Sequence, residues 1–492
     1  MFGYDVGISG GVTSMDGFLQ KFFPEVYDRK HSPNNTDGNY CKYDNQKLQA
    51  FTSSLYIAGL LATYVASWTS RRYGRRPTMQ IAAATFIIGT TLCSAAQNII
   101  MLILGRVLLG IGVGFANQAV PLFLSEMAPY QIRGALNIMF QLAVTIGILI
   151  ANLVNFGTEK IHPWGWRLAL GLAGVPAGLL TIGSMFVLET PNSLIERGHL
   201  EQGKKVLQKI RGTNEVEAEY EDMIAASEVA KAVKHPFRNI IQRRNRPQLI
   251  IAIVLQISQQ LTGINAIMFY APVLFQALGF GSSASLYSAV ITGVVNVLST
   301  LVAVAIVDRV GRRKLLLESG GQMLLAQVVI AFILGYQLKD TGSLPSASAI
   351  VVVIAICVFV SGFAWSWGPL GWLIPSETFP LETRSAGQSI TVSTNLLFTF
   401  LIAQLFLSML CHMKFYIFVF FSACIVCMTL FTIFFIPETK GIPIEEMQGL
   451  WASHWYWKRF IPTDPVLEQE LKMRGSSLER RHDDVETGKE AT

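Results

Sequence analysis

Gln256, Gln259 and Gln260 stand at i, i+3 and i+4 in the run Gln256-Ile-Ser-Gln-Gln-Leu-Thr-Gly-Ile-Asn265, with apolar sequence on both sides. On a helix this spacing puts the three carboxamides on one face. A polar face inside an apolar span has to look into a protein-lined cavity. Gly263 gives the helix a place to loosen and turn Asn265 toward the same space. A carboxamide both donates and accepts hydrogen bonds, as does each hydroxyl of a polyhydroxylated ligand, so the cluster suits a neutral sugar; an anion would call for Arg or Lys. The competing use of such amides is to tie helices together in the membrane. Four of them within ten positions favour a ligand.

A second chemistry sits near the start. Asp5 lies in the glycine-dense stretch Phe2-Gly-Tyr-Asp-Val-Gly-Ile-Ser-Gly, and an ionised carboxylate deep in a bilayer must be protonated or paired with a cation. Arg106, opening Gly105-Arg-Val-Leu-Leu-Gly-Ile-Gly-Val-Gly114, is the candidate partner. An Asp that is charged beside the guanidinium and neutral away from it is a proton switch; the other use of the two residues is a permanent structural ion pair. Trp372, in Phe363-Ala-Trp-Ser-Trp-Gly-Pro-Leu-Gly-Trp372, can stack an indole face on the C–H face of a pyranose. Trp365 and Trp367 read as packing or membrane-interface residues. Gln141, Asn296 and Asn395 are lone amides in apolar surroundings, each as suited to holding helices together as to holding a ligand.

The elements that must position these residues are membrane helices. With 51% of its 492 residues hydrophobic and 15% charged, the chain is too apolar for an ordinary soluble protein. Runs long enough to cross a bilayer recur at 50–70, 77–96, 99–121, 135–156, 167–188, 248–276, 283–307, 314–338, 346–372, 386–409 and 414–436. Met1 to Ser14 supplies barely half a span, so an N-terminal extension completing a first helix, and twelve helices in all, is expected. The break at 346–372 is expected near its Gly, Pro and Trp residues.

The formal charge of +6 is concentrated in Arg71, Arg72, Arg75 and Arg76, in Arg309, Arg312, Arg313 and Lys314, and in Arg238, Arg243, Arg244 and Arg246. The positive-inside rule places these loops, and both termini, in the cytosol, and no nucleic-acid partner is needed to explain them. Residues 15–48 then form a long outward loop with an Asn34-Asn35-Thr36 glycosylation triplet and Cys41. Cys411 falls on the same oxidising side, so the two cysteines either bridge or remain unpaired thiols.

The chain repeats itself. Arg71-Arg-Tyr-Gly-Arg-Arg76 is echoed by Asp308-Arg-Val-Gly-Arg-Arg313, Ser125-Glu126 with Arg133 by Ser376-Glu377 with Arg384, and Glu189-Thr190 by Glu438-Thr439. Matching order implies two homologous halves: a transmembrane half at 1–188, cytosolic linker helices over 189–247, a second half at 248–436, and a cytosolic tail at 437–492 whose last part, 465–492, has a disordered composition. Arg75, Glu126 and Arg133 in one half, and Arg312, Glu377 and Arg384 in the other, form a candidate cytosolic gate of ion pairs.

Taken together, these residues resemble the sugar porter family of the major facilitator superfamily, and Gly3-Tyr-Asp-Val-Gly-Ile-Ser-Gly-Gly-Val-Thr-Ser-Met15 looks like the plant sugar transport proteins. The resemblance implies an all-α polytopic fold of two six-helix halves and proton-coupled import of a monosaccharide such as glucose across the plasma membrane by alternating access. It implies that Phe2, Gln141, Gln259, Gln260, Asn265, Asn296, Trp372 and Asn395 contact the hexose, that Asp5 and Arg106 handle the proton, and that Cys41 and Cys411 pin an outer lid. Arg71 departs from the pattern, standing where the second half has Asp308. The expected chain is a monomer without cofactor or metal. A passive hexose uniporter would share the amides but not the coupling, and a sugar sensor would signal through the tail or linker. A membrane enzyme is disfavoured, since no nucleophile–base or metal-spaced cluster is visible.

Overall fold

The structure, a computed structural model, describes residues 1–31, 41, 43–129, 132–232, 236–277, 282–337, 345–380, 382–440, 442 and 447–461. Its described residues are helical throughout. Helix α1 (Phe2–Val12) is followed by two short helices, α2 (Asp16–Phe22) and α3 (Pro24–His31), then by α4 (Gln46–Tyr73), α5 (Arg75–Ala95), α6 (Ile99–Met127) and α7 (Arg133–Thr158). Helices α8 (Gly165–Gly171) and α9 (Gly174–Phe186) make one further span. The charged stretch forms α10 (Pro191–Glu196), α11 (Leu200–Arg211), α12 (Glu217–Ala232) and α13 (Pro236–Asn239), one more than the two or three short helices that its composition led us to expect.

The remaining helices are α14 (Arg246–Leu261), α15 (Ile264–Ala277), α16 (Ser282–Val310), α17 (Arg312–Gln337), α18 (Ser346–Trp365), α19 (Trp367–Thr378), α20 (Arg384–Met413), α21 (Tyr416–Phe435) and α22 (Met447–Ser453). Among the described residues, ten helical stretches are long and apolar enough to cross a membrane. The expected span 248–276 is not one of them because it is broken into α14 and α15 at Gly263, whose φ of 84° is open to glycine and strained for other residues. The expected break in 346–372 falls at Ser366 between α18 and α19.

Three helix pairs form seams between the first group of spans and the second: α4 with α20, α7 with α16, and α1 with α15. Helix α1 lies in the closest of contacts, because it presents Gly3, Gly7 and Gly11 at i, i+4 spacing to α7; a methyl group at Gly3 would strike the Val144 carbonyl. Gly110 and Gly114 of α6 do the same against the Leu55 and Gly59 carbonyls of α4.

The stretch after α1 is folded, where an extended loop was expected. Pro24 opens α3 and both short helices carry acidic residues first and basic residues last, which suits the helix dipole. Phe18 and Phe22 pack on Trp166 with ring centroids 5.8 and 5.2 Å apart, seating this lid on the first half. The Asn34 triplet and the 465–492 tail lie outside the described residues. After α21, Trp455 and Trp457 donate their indole N–H groups to the Phe434 and Phe435 carbonyls, each at 2.8 Å.

A side chain at Gly110 has no room between two backbones. Gly110→Val is expected to destabilise the protein by about 1–3 kcal/mol or more, read as a lowered midpoint in detergent thermal unfolding, whereas Gly157→Val, where nothing lies within 4 Å of the added carbon, leaves it unchanged.

Candidate functional site

The broken helices create the site. At Ser366 the chain leaves helical geometry, and α19 starts there with Pro375 inside it, which leaves the Gly371 carbonyl without a helical donor. Gln259 of α14 donates from its amide nitrogen to the Trp367 and Gly368 carbonyls at 3.0 and 2.9 Å, and Gln256 donates to the Gly371 carbonyl at 2.5 Å. The oxygens of both glutamines accept from the Asn395 amide nitrogen of α20 at 2.7 Å each. Three helices are thus joined by a carboxamide network in which Gln256, Gln259 and Asn395 are all buried. Gly371 leaves space for it: an added Cβ would lie 2.8 Å from the Gln259 amide nitrogen.

The other expected residues gather around this network. Asn265, in the first turn of α15, donates to Gln260. Asn296 of α16 is buried with its oxygen unpartnered and its nitrogen 3.8 Å from the Met268 sulfur. Gln141 of α7 lies against Gly368, its amide nitrogen 3.2 Å from where a Cβ there would stand, so the first half meets the network at that glycine. Trp372 is buried with its ring edge-on to Phe140 at 5.7 Å. Phe2 is partly buried and packs on the main apolar core. Trp367 is fully buried, donating to the Leu316 carbonyl at 3.3 Å, which fits packing and not a membrane interface.

Asp5 and Arg106 are brought together. The guanidinium Nη1 is 2.5 Å from Asp5 Oδ1, and both side chains are excluded from solvent. Arg106 also donates to the Phe51 and Thr52 carbonyls and to Ser9 Oγ, at 3.0, 3.4 and 3.0 Å, and sits 4.7 Å over the Phe51 ring. Asp5 Oδ2 has no partner. Since α1 packs between α7 and α15, it touches helices that carry Gln141 and Asn265.

At the arginine-rich end, each half builds the same unit. Arg75 pairs with Glu126 at 2.6 Å, and Glu126 accepts from Thr190 at 2.6 Å. Arg312 pairs with Glu377 at 2.8 Å, and Glu377 accepts from Thr439 at 3.4 Å. Glu189 and Glu438 cap the free N–H groups that open α5 and α17, just after Gly74 and Gly311. The second half adds Asp308 to Arg312 at 2.9 Å. The first, with Arg71 in that place, recruits Glu196 from α10 to Arg75 at 3.2 Å.

These ion pairs lie within their own halves. The halves meet instead through Gly134 beside Asp308 and Arg312, Asn137 donating to Ser376 Oγ at 2.6 Å, Ser67 with Ser385 at 3.1 Å, and Gln118 donating to the Ser385 carbonyl at 3.4 Å. Arg384 donates to the Ser376 carbonyl at 3.2 Å; the side chain of Arg133 lies outside the described residues. Asn137 and Ser376 were not singled out from sequence, although Asn137 is one turn from Gln141 and Ser376 adjoins Glu377.

At the opposite end Cys41 and Cys411 form a disulfide, their Cα atoms 4.5 Å apart. Tyr43 donates to Gln276, Ser53 to Gln404 at 2.5 Å and Gln49 to Ser408 at 3.1 Å, so the lid and α4 are tied to the second half. Under the lid, burial pushes the Glu159 carboxyl above its usual range, while Lys30 opposes the rise and Asp16 adds to it.

A family model described as "Sugar (and other) transporter" matches residues 1–451. The chain belongs to that family of sugar transporters. It is 70% identical over 463 residues to the sugar transport protein MST4 of Oryza sativa subsp. japonica, covering 94% of this chain and 90% of that one. To sugar transport protein 13 of Arabidopsis thaliana it is 68% identical over 464 residues, covering 94% and 88%. The proton:xylose symporter XylE bound to 6-bromo-6-deoxy-D-glucose, a major facilitator protein, superposes with a TM-score of 0.77 at 26% identity, covering 92% of this chain and 96% of that one. This sugar transporter therefore has the major facilitator fold and is not an enzyme.

Two outcomes follow from the charged groups of the transporter. Arg75→Gln strands buried Glu126 and is expected to cost about 3–5 kcal/mol. Arg312→Gln should cost less in the same thermal-unfolding assay, because Glu377 is 13% exposed against 3% for Glu126 and water can take up part of its charge. Because the folded state favours protonated Glu159, lid docking strengthens as pH falls toward the ordinary glutamate range. The protection of amides 16–31, corrected for the intrinsic pH dependence of exchange, should rise over that fall, and Glu159→Gln should flatten the dependence.

Proposed function

We propose that the transporter imports a hexose together with a proton across the plasma membrane, with its arginine-rich end and both termini in the cytosol and its disulfide end outside, working as a monomer. The observation that carries this reading is the buried network of Gln256, Gln259 and Asn395 in a chain that also buries the Asp5–Arg106 pair. Gln141, Gln259, Gln260, Asn265, Asn296 and Asn395 supply donors and acceptors for sugar hydroxyls, Trp372 an aromatic wall, and Phe2 a cover from α1. The sugars named for XylE, a xylose and a glucose derivative, support a monosaccharide.

Coupling works through Asp5. A proton entering at the unpartnered Oδ2 neutralises the carboxylate and weakens its hold on Arg106, which keeps its carbonyl partners at Phe51 and Thr52. Helix α1 is then free to shift against α7 and α15, and the shift is felt at Gln141 and Asn265. Release of the proton restores the pair. The driving force is ample: a charge crossing 100 mV gives about 2.3 kcal/mol, and each pH unit about 1.4 kcal/mol.

Uptake of labelled hexoses into proteoliposomes under an imposed pH gradient tests this. Gln259→Ala removes two donated bonds and one accepted bond and should raise the half-saturating sugar concentration by about tenfold or more. Asp5→Asn should abolish uphill accumulation while sparing sugar exchange. If Asp5→Asn still accumulates sugar against its gradient, Asp5 is not the coupling group; if the wild-type protein only equilibrates sugar, it is a passive carrier; if no monosaccharide crosses, it is a sensor.

A further inference from the structure

The faces that carry the central carboxamides continue toward the arginine-rich end. On α7, Asn137 lies one turn from Gln141; on α20, Gln388 lies two turns from Asn395 in the same direction. Gln118 of α6 joins them, since its amide nitrogen reaches the carbonyl of Ser385, one turn before Gln388. All three side chains are at least nine-tenths buried, with exposures of 0% for Gln118, 3% for Asn137 and 4% for Gln388. Each keeps one polar atom without a partner: Gln118 Oε1, Asn137 Oδ1 and Gln388 Nε2.

Packing does not account for this. An apolar side chain of similar size would fill the same space without stranding a donor or acceptor. The three orphan atoms are two acceptors and one donor, drawn from both halves, and they sit where the halves meet.

We propose that Gln118, Asn137 and Gln388, with the hydroxyl of Ser376, form a second, weaker monosaccharide station on the path from the central site to the arginine-rich end. The station is shut in this conformation by the Asn137–Ser376 bond. When the halves part there, Asn137 and Ser376 separate, and the orphan atoms face the widening path. A sugar leaving Gln259 and Asn395 then exchanges one set of amide partners for another instead of passing bare through a narrow apolar neck. The inference rests on the sugar-transport reading above.

The test is D-glucose transport measured separately from each face, using oriented vesicles and the double variant Gln118→Leu/Gln388→Leu. Loss of one or two hydrogen bonds should raise the half-saturating concentration from the arginine-rich face about fivefold to tenfold. The value from the disulfide face should stay unchanged, and it reports on the fold of the same protein. A variant in which neither value moves overturns the proposal. So does one in which both rise together, which marks damage at the centre, or one in which they move in opposite directions, which marks a biased open–closed equilibrium. Wild-type protein that carries no monosaccharide from either face would instead sink the reading of the central site.

Discussion

An amide in hydrocarbon must have its donors and acceptors met by protein, because the bilayer offers none. The interior of this transporter is arranged around that demand. Gln256 and Gln259 are satisfied by carbonyls of α19: that of Gly371 has no helical donor because Pro375, four residues on, lacks an N–H, and those of Trp367 and Gly368 take the Gln259 amide on a second lone pair. The break at Gly263, between α14 and α15, brings Asn265 to Gln260. Helix interruption, helix proline and polar site therefore fall on the same turns of the chain.

The same demand shapes the charged pair. Arg106 is held by two backbone carbonyls and a serine hydroxyl in addition to Asp5, so the guanidinium stays solvated by protein whether or not the carboxylate is charged. Asp5, by contrast, has Arg106 at one oxygen and nothing at the other. A permanent structural bridge would be expected to satisfy both oxygens. The lopsided arrangement, with a cation indifferent to its partner and an acid dependent on it, suits the proton exchange proposed above.

Much of this was legible in the chain. The carboxamide spacing at 256–260 and the glycine-rich interruptions announced buried amides at broken helices, and the paired arginine motifs announced two similar charged units. The lid was legible and missed: Pro24, the acidic-to-basic order of 16–31 and the buried Phe18, Phe23 and Val26, with Phe22 partly buried beside them, are helix signals that a count of charges hides. What could not be read is which amides meet which carbonyls. The acceptors at Trp367, Gly368 and Gly371 carry no side-chain signature, and the pairing of Gln259 with Asn395 joins positions 136 residues apart. Likewise, Arg71 in place of an acid looks like a broken motif until Glu196 is seen to reach Arg75 from α10.

That substitution has a consequence for how the two ends move. Arg312 finds both its acids, Asp308 and Glu377, on membrane helices of its own half. Arg75 takes one of its acids from the linker, and Arg211 of the same linker reaches the Met127 carbonyl at the end of α6. The linker thus supplies an acid to the arginine cluster of the first half, whereas it reaches the second half elsewhere, through Arg244 and Glu382 at 2.9 Å. Among the described residues, the contacts that join the halves at this end include uncharged ones, Asn137 with Ser376 and Ser67 with Ser385, each worth about 1 kcal/mol. Strong pairs keep each half rigid, and weak bonds join the halves. A carrier that must open and shut at every turnover needs that division, because a gate locked by buried ion pairs would cost several kcal/mol to part.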